Sequence, residues 1–326
     1  MNAPKKIVIM PTFCEAHMIK CQIPNIIDTI DPDYIIYNEG MFPIGPENGT
    51  NVTDKFLLDY TLGGKQGFDF NELKTIVDEA QIKYPNTKII LNKMEYPKGM
   101  VDVIDCWYEA CSNFSQFGIK IQKGDYIFPY EADVFHHEEA KNEIEGYMQQ
   151  LQPNQGFRSK WIDFVENQNY AEKRTLKPFL LEDPGWEDQG RSRRICIKFG
   201  DWEWYKHVLK GLMTQQYPML FPTDLVTYHY SWLRPGKYKN LRHDQLNRHP
   251  MYWKQYQNGV EKIYDYKYLD IDVRPSMGEN AIESTHRYIR FFDINHPKHI
   301  KSHSCYSEIT KEQKEKILTN KLRFVQ

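Results

Sequence analysis

Apolar and polar positions along the first half of the chain follow two alternating rhythms. Lys5–Met10 is a short apolar run closed by Pro11. That pattern predicts a strand buried on both faces of a parallel sheet. From Glu15 to Ile30 the apolar residues Ile19, Ile23, Ile26, Ile27 and Ile30 fall at helical spacing, and Pro24 is expected to kink that helix or start a new turn. Tyr34–Tyr37 and Lys88–Leu91 read as the second and third strands. Between them Asn71–Ile82 reads as a helix with Leu73, Ile76, Val77 and Ala80 on one face, stopped at Tyr84-Pro85. Val101–Phe117 is expected to be helical, and Asp125–Phe128, led by the Lys123-Gly124 turn, to be a fourth strand. Strands alternating with helices predict βαβ units and a parallel sheet. Phe42–Gly67, rich in Gly, Pro and Asn, breaks the rhythm. It reads as a long loop of the kind that covers ligand at the carboxyl edge of a sheet.

The second half is less regular. Gly156–Val165, Arg193–Phe199 and Leu225–Leu233 read as strands, and Val208–Met213 as part of a short helix. Tyr238–Gln257 is expected to begin as a helix, and Glu308–Leu322 to be a polar one. No repeat or low-complexity linker divides the chain, so 1–326 reads as a single α/β domain.

Composition narrows the function classes. A chain of 326 residues suits one large α/β domain. A formal net charge of -2 argues against a dedicated nucleic-acid binder, which carries a strong basic excess. Aromatic residues make up 14%; buried rings account for most, and rings also stack on sugars and bases. No run approaches the ~20 apolar residues that span a bilayer, and the N-terminus lacks a signal-peptide core. The six cysteines match no zinc spacing, so the expected setting is reducing and cytoplasmic. The sequons at Asn48 and Asn51 read as chance on the same ground.

The candidate chemistry begins after the fourth strand, in Glu131-Ala-Asp133. Residues two apart on an extended chain point the same way, so both carboxylates can face one point. A hard divalent cation takes one or two carboxylates together with phosphate oxygens. Ligands of doubly wound sheets bind beyond the carboxyl ends of strands. An isolated acid-x-acid triplet is more often a solvated loop and needs company. His229, within Thr227–Pro235, reads either as a hydrogen-bonded core histidine or as an imidazole ligand to the same metal, a mixed set that suits Mn2+ better than Mg2+. His136 and His137 follow the triplet, but consecutive residues point apart, so at most one could join. Trp202 and Trp204 read as packing against the sheet rather than a sugar platform.

Ile7–Glu15 resembles the opening strand of family-2 glycosyltransferases, an apolar run followed by Pro-Thr-Tyr-Asn-Glu, with Phe13 and Cys14 at the Tyr and Asn positions. Tyr34–Gly40 resembles their second strand, which ends in acids that hold the nucleoside; Asn38 stands at the first acid and Glu39 follows. Val101–Asp133 resembles their helix, Gly-Asp-Tyr strand and Asp-x-Asp metal motif, with Glu131 at the first aspartate. The resemblance covers roughly the first 140 residues. It implies a GT-A-like (Rossmann-like), mainly parallel sheet flanked by helices, with an irregular C-terminal acceptor region. Residues 1–135 would form the nucleotide-sugar-binding half, 136–260 the acceptor and catalytic half, and 261–326 an extension. It implies transfer of a sugar from a UDP- or GDP-linked donor to a hydroxyl, inverting and dependent on Mn2+ or Mg2+. Pro11, Thr12, Glu15, Glu39 and Asp133 would contact the donor; Glu131, Asp133 and His229 would bind the metal. Arg234 could meet the leaving diphosphate or face solvent. The base is sought in the acidic turn Glu182–Arg191, with Asp188 first, Glu187 and Asp183 as rivals, and Trp186 as a sugar platform. The acceptor stays open among a glycan, a lipid-linked sugar, a protein, a small molecule and a modified nucleic-acid base. A nucleotidyltransferase would want a glycine-rich loop after the first strand, which Pro11–His17 lacks. A sugar- or nucleic-acid-binding protein that had lost catalysis would lack the metal set. No carboxylate pair is arranged for glycoside hydrolysis.

Overall fold

The structure is a computed structural model that describes residues 3–12, 15–39, 65–93, 109–163, 170–172, 195–214, 220–230, 233, 289–291, 295–308 and 310. In chain order its elements are β1 (Lys6–Thr12), α1 (Ala16–Thr29), β2 (Tyr34–Glu39), α2 (Lys65–Lys83), β3 (Lys88–Lys93), β4 (Tyr126–Pro129), β5 (Val134–Phe135), α3 (Ala140–Gln150), β6 (Gln155–Asp163), β7 (Tyr170–Glu172), β8 (Ile195–Lys198), α4 (Trp202–Thr214), β9 (Leu220–His229) and β10 (Ile289–Phe291). Eight strands form one sheet in the order β3-β2-β1-β4-β8-β6-β9-β5, and β7 pairs with β10 separately. Strands β1 to β4 run parallel. Strand β8 lies antiparallel to both β4 and β6. These two reversals restore the original direction, so β6 and its parallel neighbour β9 point the same way as β1 and β4. The carboxyl ends of β1, β2, β4 and β9 therefore share one edge. This is a GT-A-like, Rossmann-type α/β fold.

The sheet is covered on both faces, which is why its central strands read as unbroken apolar runs. Side chains alternate along β1. Val8 and Met10 join Ile19, Ile23 and Ile26 of α1, Leu73 and Val77 of α2, and Ile144 and Met148 of α3. Ile7 and Ile9 point the other way, to Phe114 and to Tyr205, Val208 and Leu209 of α4. Trp204 packs partly buried against that layer, while Trp202 stays exposed with its ring edge-on to Phe199 and Tyr205. Gly156 lets β6 approach closely, since a Cβ there would sit 2.8 Å from the Cys196 carbonyl oxygen. Gly124, at φ +101°, makes the turn that leads into β4.

The structure departs from the sequence expectations at several points. Strand β1 does not stop at Pro11 but runs to Thr12. The ladder to β4 ends at Ile9, so the missing N–H of Pro11 falls where no partner strand needs it. Helix α1 passes through Pro24 as one element; that residue lies on its half-exposed side, one turn after exposed Lys20. Helix α2 begins at Lys65, inside the expected loop. Of the expected helix 101–117, residues 101–108 lie outside the described residues, 109–112 are helical and Ser115–Phe117 form a 3-10 turn. Helix α4 is longer than expected, and α3 was not foreseen. The apolar stripe of α3 is only Ala140, Ile144 and Met148 among charged residues, too narrow to stand out. Strand β9 starts at Leu220 and ends at His229, four residues short of the expected end. No helix among the described residues is long and apolar enough to cross a membrane. The described cysteines Cys21, Cys111, Cys196 and Cys305 are all free thiols.

Residues 295–306 lie across α1 as a strap. Asp28 of α1 holds Lys298 Nζ and His299 Nε2, each at 2.7 Å. Burial works to raise the Asp28 pKa, but the hydrogen bonds from Lys298 and His299 outweigh it and the net shift is downward. A depressed carboxyl contributes stability that is present above its unfolded value of ~3.9 and lost as pH falls through the folded value. Asp28→Asn is therefore expected to lower the melting temperature at pH 7. The gap from wild type should close in thermal melts taken below about pH 4.

Candidate metal centre

Glu131 and Asp133 stand on the segment that leaves β4. In the sheet order, β8 and β6 lie between β4 and β9. Residues 130–133 carry the chain at the carboxyl edge past β8, β6 and β9 to β5, through a turn in which the Val134 N–H points to the Glu131 carbonyl at 3.4 Å. Val134 then pairs with His229, and Phe135 with Tyr228, in the antiparallel β5–β9 ladder. The Tyr230 N–H donates to the Asp133 carbonyl at 2.9 Å and closes the turn. Residues far apart in sequence are thus brought together by the register of a two-residue strand.

His229 Nε2 lies 3.3 Å from Asp133 Oδ1 and 3.8 Å from Glu131 Oε2. The three ligand atoms all lie within 4.8 Å of one another. Ligands about 2.0–2.1 Å from a Mg2+-sized ion stand about 3 Å apart along an octahedral edge and about 4 Å across it. The observed spacing is close to both. Asp133 is buried and Glu131 and His229 are half-buried, which leaves coordination positions for a ligand's oxygens. Two carboxylates this close repel unless positive charge sits between them. The donor set fits a hard divalent cation with room for phosphate.

Helix α1 holds this turn through polar side chains that the sequence reading passed over. The Gln22 amide donates to the Glu131 carbonyl and lies 3.4 Å from the Val134 carbonyl. Asn25 donates to the His136 carbonyl at 2.7 Å and accepts the His136 N–H at 3.0 Å. Both amides are fully buried. The available signal was two amides at helical spacing on an otherwise apolar face, which reads equally well as a helix edge. His136 is not a member of the triad: its Nδ1 lies 3.1 Å from the Val226 carbonyl. His137 lies outside it too, its Nε2 3.1 Å from the Asn295 amide.

At the ends of β1 and β2, register sets Thr12 beside Glu39. The Thr12 hydroxyl donates to Glu39 Oε2 at 2.6 Å, and both residues are buried. Asn38 points to the opposite face. Its amide donates to the Ala110 carbonyl and accepts from Asn92, each at 2.9 Å. The carboxylate at this edge is therefore Glu39. Glu15 stands at the N-terminal boundary of α1 without a capping hydrogen bond from its side chain, its Oε2 3.7 Å from His17 Nε2. Pro11 pairs with Asn38 one step below the Thr12–Glu39 pair. Asp183, Trp186, Glu187, Asp188, Arg234 and the segment 238–257 lie outside the described residues.

No protein-family model matches the chain, and no curated protein matches it in sequence. Among solved structures, it is similar to glucosyl-3-phosphoglycerate synthase from Mycobacterium tuberculosis in complex with Mn2+, uridine diphosphate and glucosyl-3-phosphoglycerate. The two are 12% identical, with a TM-score of 0.33 over 76% of this chain and 80% of that one. The same enzyme with Mg2+ and uridine diphosphate gives 11% identity and a TM-score of 0.33, over 76% and 79%. A likeness so distant carries no argument about substrate or chemistry, which rest on this chain's own residues.

Asn25→Leu is expected to strand the buried His136 N–H and carbonyl, at a cost of about 1–3 kcal/mol for each group. Chemical denaturation measures that loss. In protein that remains folded, Mn2+ affinity should fall about 10–100-fold, the usual effect of losing a group that orients ligands.

Proposed function

We propose that this protein is a metal-dependent glycosyltransferase. It takes a UDP- or GDP-linked sugar and transfers it to an acceptor hydroxyl with inversion at the anomeric carbon. The observation that carries this reading is the convergence of Glu131, Asp133 and His229 at the carboxyl edge of a GT-A-like sheet. That edge also carries the buried Thr12–Glu39 pair.

Glu131, Asp133 and His229 would hold Mn2+ or Mg2+, whose charge offsets that of the donor diphosphate. The rest falls to the protein. Glu39, oriented by Thr12, accepts hydrogen bonds from the nucleoside, with Pro11 and Glu15 lining the same end. Arg234 meets the diphosphate as it leaves. Asp188, with Glu187 beside it, takes the proton of the acceptor hydroxyl as that oxygen attacks. The acceptor is a glycan, a lipid-linked sugar, a protein, a small molecule or a modified nucleic-acid base; each offers a hydroxyl.

Calorimetric titration of UDP and GDP, with Mn2+ and with EDTA, tests the donor half of the proposal. One nucleotide is expected to bind only with metal present, and Asp133→Ala to abolish that binding. If neither nucleotide binds in the presence of Mn2+, the transferase reading fails. Once an acceptor is found, Asp188→Asn should reduce kcat by about 10²–10⁴-fold, the range of general-base catalysis. Metal-dependent nucleotide binding should stay as in wild type. Unchanged kcat would move the base to Glu187.

A further inference from the structure

The strap at 295–306 reaches both ends of the candidate site through buried histidines. His296 and His303 are each 4% exposed. Ile300 between them is fully buried with Met18 and Cys21 of α1, Phe135 of β5, Ile162 of β6 and Tyr230. Packing alone would be served by apolar residues. Buried imidazoles cost free energy unless they are paired, and each of these is paired with a residue next to a site element.

The first contact leads to the metal ligands. Tyr230 follows His229 directly; its N–H bonds the Asp133 carbonyl at 2.9 Å. Its hydroxyl lies 2.8 Å from His296 Nδ1, and its ring stands edge-on to Phe135 at 5.6 Å. Tyr230 is thus fixed at its backbone by the metal turn and at its tip by the strap. His229 is the last β9 residue of the β5–β9 ladder, directly before that anchor.

The second contact leads to Glu15. The Cys305 N–H donates to His303 Nδ1 at 3.1 Å, which puts the proton of a neutral His303 on Nε2. That N–H donates to His17 Nδ1 at 3.0 Å. The proton of a neutral His17 is then on Nε2, which lies 3.7 Å from Glu15 Oε2. One backbone N–H in the strap fixes two tautomers in turn and aims an N–H at the carboxylate where β1 gives way to α1.

We propose that the strap braces the active site, with His296 as the positioning residue for the metal ligands and His303, through His17, for Glu15. The functional meaning of this brace rests on the glycosyltransferase reading. The geometry it asserts does not.

The test uses the full chain, with Mn2+ alone as probe, titrated by the electron paramagnetic signal of the free ion. His296→Leu is expected to weaken Mn2+ binding about 10-fold or more. His296→Asn, whose amide can serve the Tyr230 hydroxyl as donor or acceptor, should recover most of it at a similar melting temperature. Equal Mn2+ affinity in wild type and His296→Leu would overturn the brace. Should His296→Leu fail to fold, Tyr230→Phe removes the same hydrogen bond with the ring kept, and the same comparison decides. Should wild type bind no Mn2+, the functional reading falls by itself. Hydrogen exchange at the Tyr230 amide then decides: faster exchange in His296→Leu than in His296→Asn supports the brace, and equal rates overturn it. For the second arm, imidazole nitrogen-15 shifts should report His17 as the Nε2–H tautomer in wild type and as a mixture in His303→Leu. An Nδ1–H tautomer in wild type would sink that arm.

Discussion

The two-residue ladder between β5 and β9 is the constraint on which the candidate site depends. Val134 opposite His229 fixes where the segment from β4 must land. The Glu131–Asp133 stretch is thereby drawn over the sheet edge with its carboxylates toward the imidazole. A slip of one residue in that register would turn every side chain of β5 to the opposite face and carry the turn with it. The ladder itself is short, and two residues of pairing are not stable alone. Its position is secured by what lies on either side: α1 on one and the Tyr230 turn on the other.

Helix α1 therefore serves two purposes that pull in different directions. Its isoleucines bury against β1 and β2 and contribute to the core as any amphipathic helix does. Gln22 and Asn25 sit in the same buried surface and bond backbone groups of the metal turn instead. The Asn25 amide is satisfied through both its nitrogen and its oxygen, and a pair so satisfied specifies one arrangement more sharply than apolar contact does. That helps keep two carboxylates converged against their repulsion. The same helix meets the strap on its outer side, through His17, Cys21 and Asp28. It thus connects the metal turn, the strap and the end of β1.

Much of the fold was legible in the sequence, for identifiable reasons. The strands β1, β2 and β4 are buried on both faces, so their apolar runs stand out without any knowledge of their neighbours, and the edge strand β3 keeps the short apolar run Ile89–Leu91. Helix α1 carries a wide apolar stripe, and Leu73, Ile76, Val77 and Ala80 mark α2, on a core that the same strands define. The short stripe of α3 and the two residues of β5 gave no such signal, because their burial depends on partners distant in sequence. Proline misled once: Pro11 read as the end of β1, yet it sits where the ladder to β4 has already stopped and its missing N–H has no partner to lose.

The candidate site divides in the same way. The residue types and the spacing of Glu131 and Asp133 were visible locally, but the chain there is a turn rather than the extended segment expected, so the turn and not strand alternation brings both carboxylates to one point. Glu39 was visible as the acid nearest the end of β2; its hydrogen bond from Thr12 is a matter of register between parallel strands. That His229 meets the two carboxylates was expected from the family resemblance, while the residue pattern by itself left a core histidine equally open. The encounter requires two strand reversals, through β8 and β6, that restore the direction of β9 and bring its end to the same edge. The roles of Gln22, Asn25, His296 and His303 are likewise set by tertiary structure. A buried polar side chain takes its meaning from the group it pairs with, and here each partner lies far along the chain. The sequence determined which strands form and which residues carry charge; only the folded sheet decided which of those charges share a point in space.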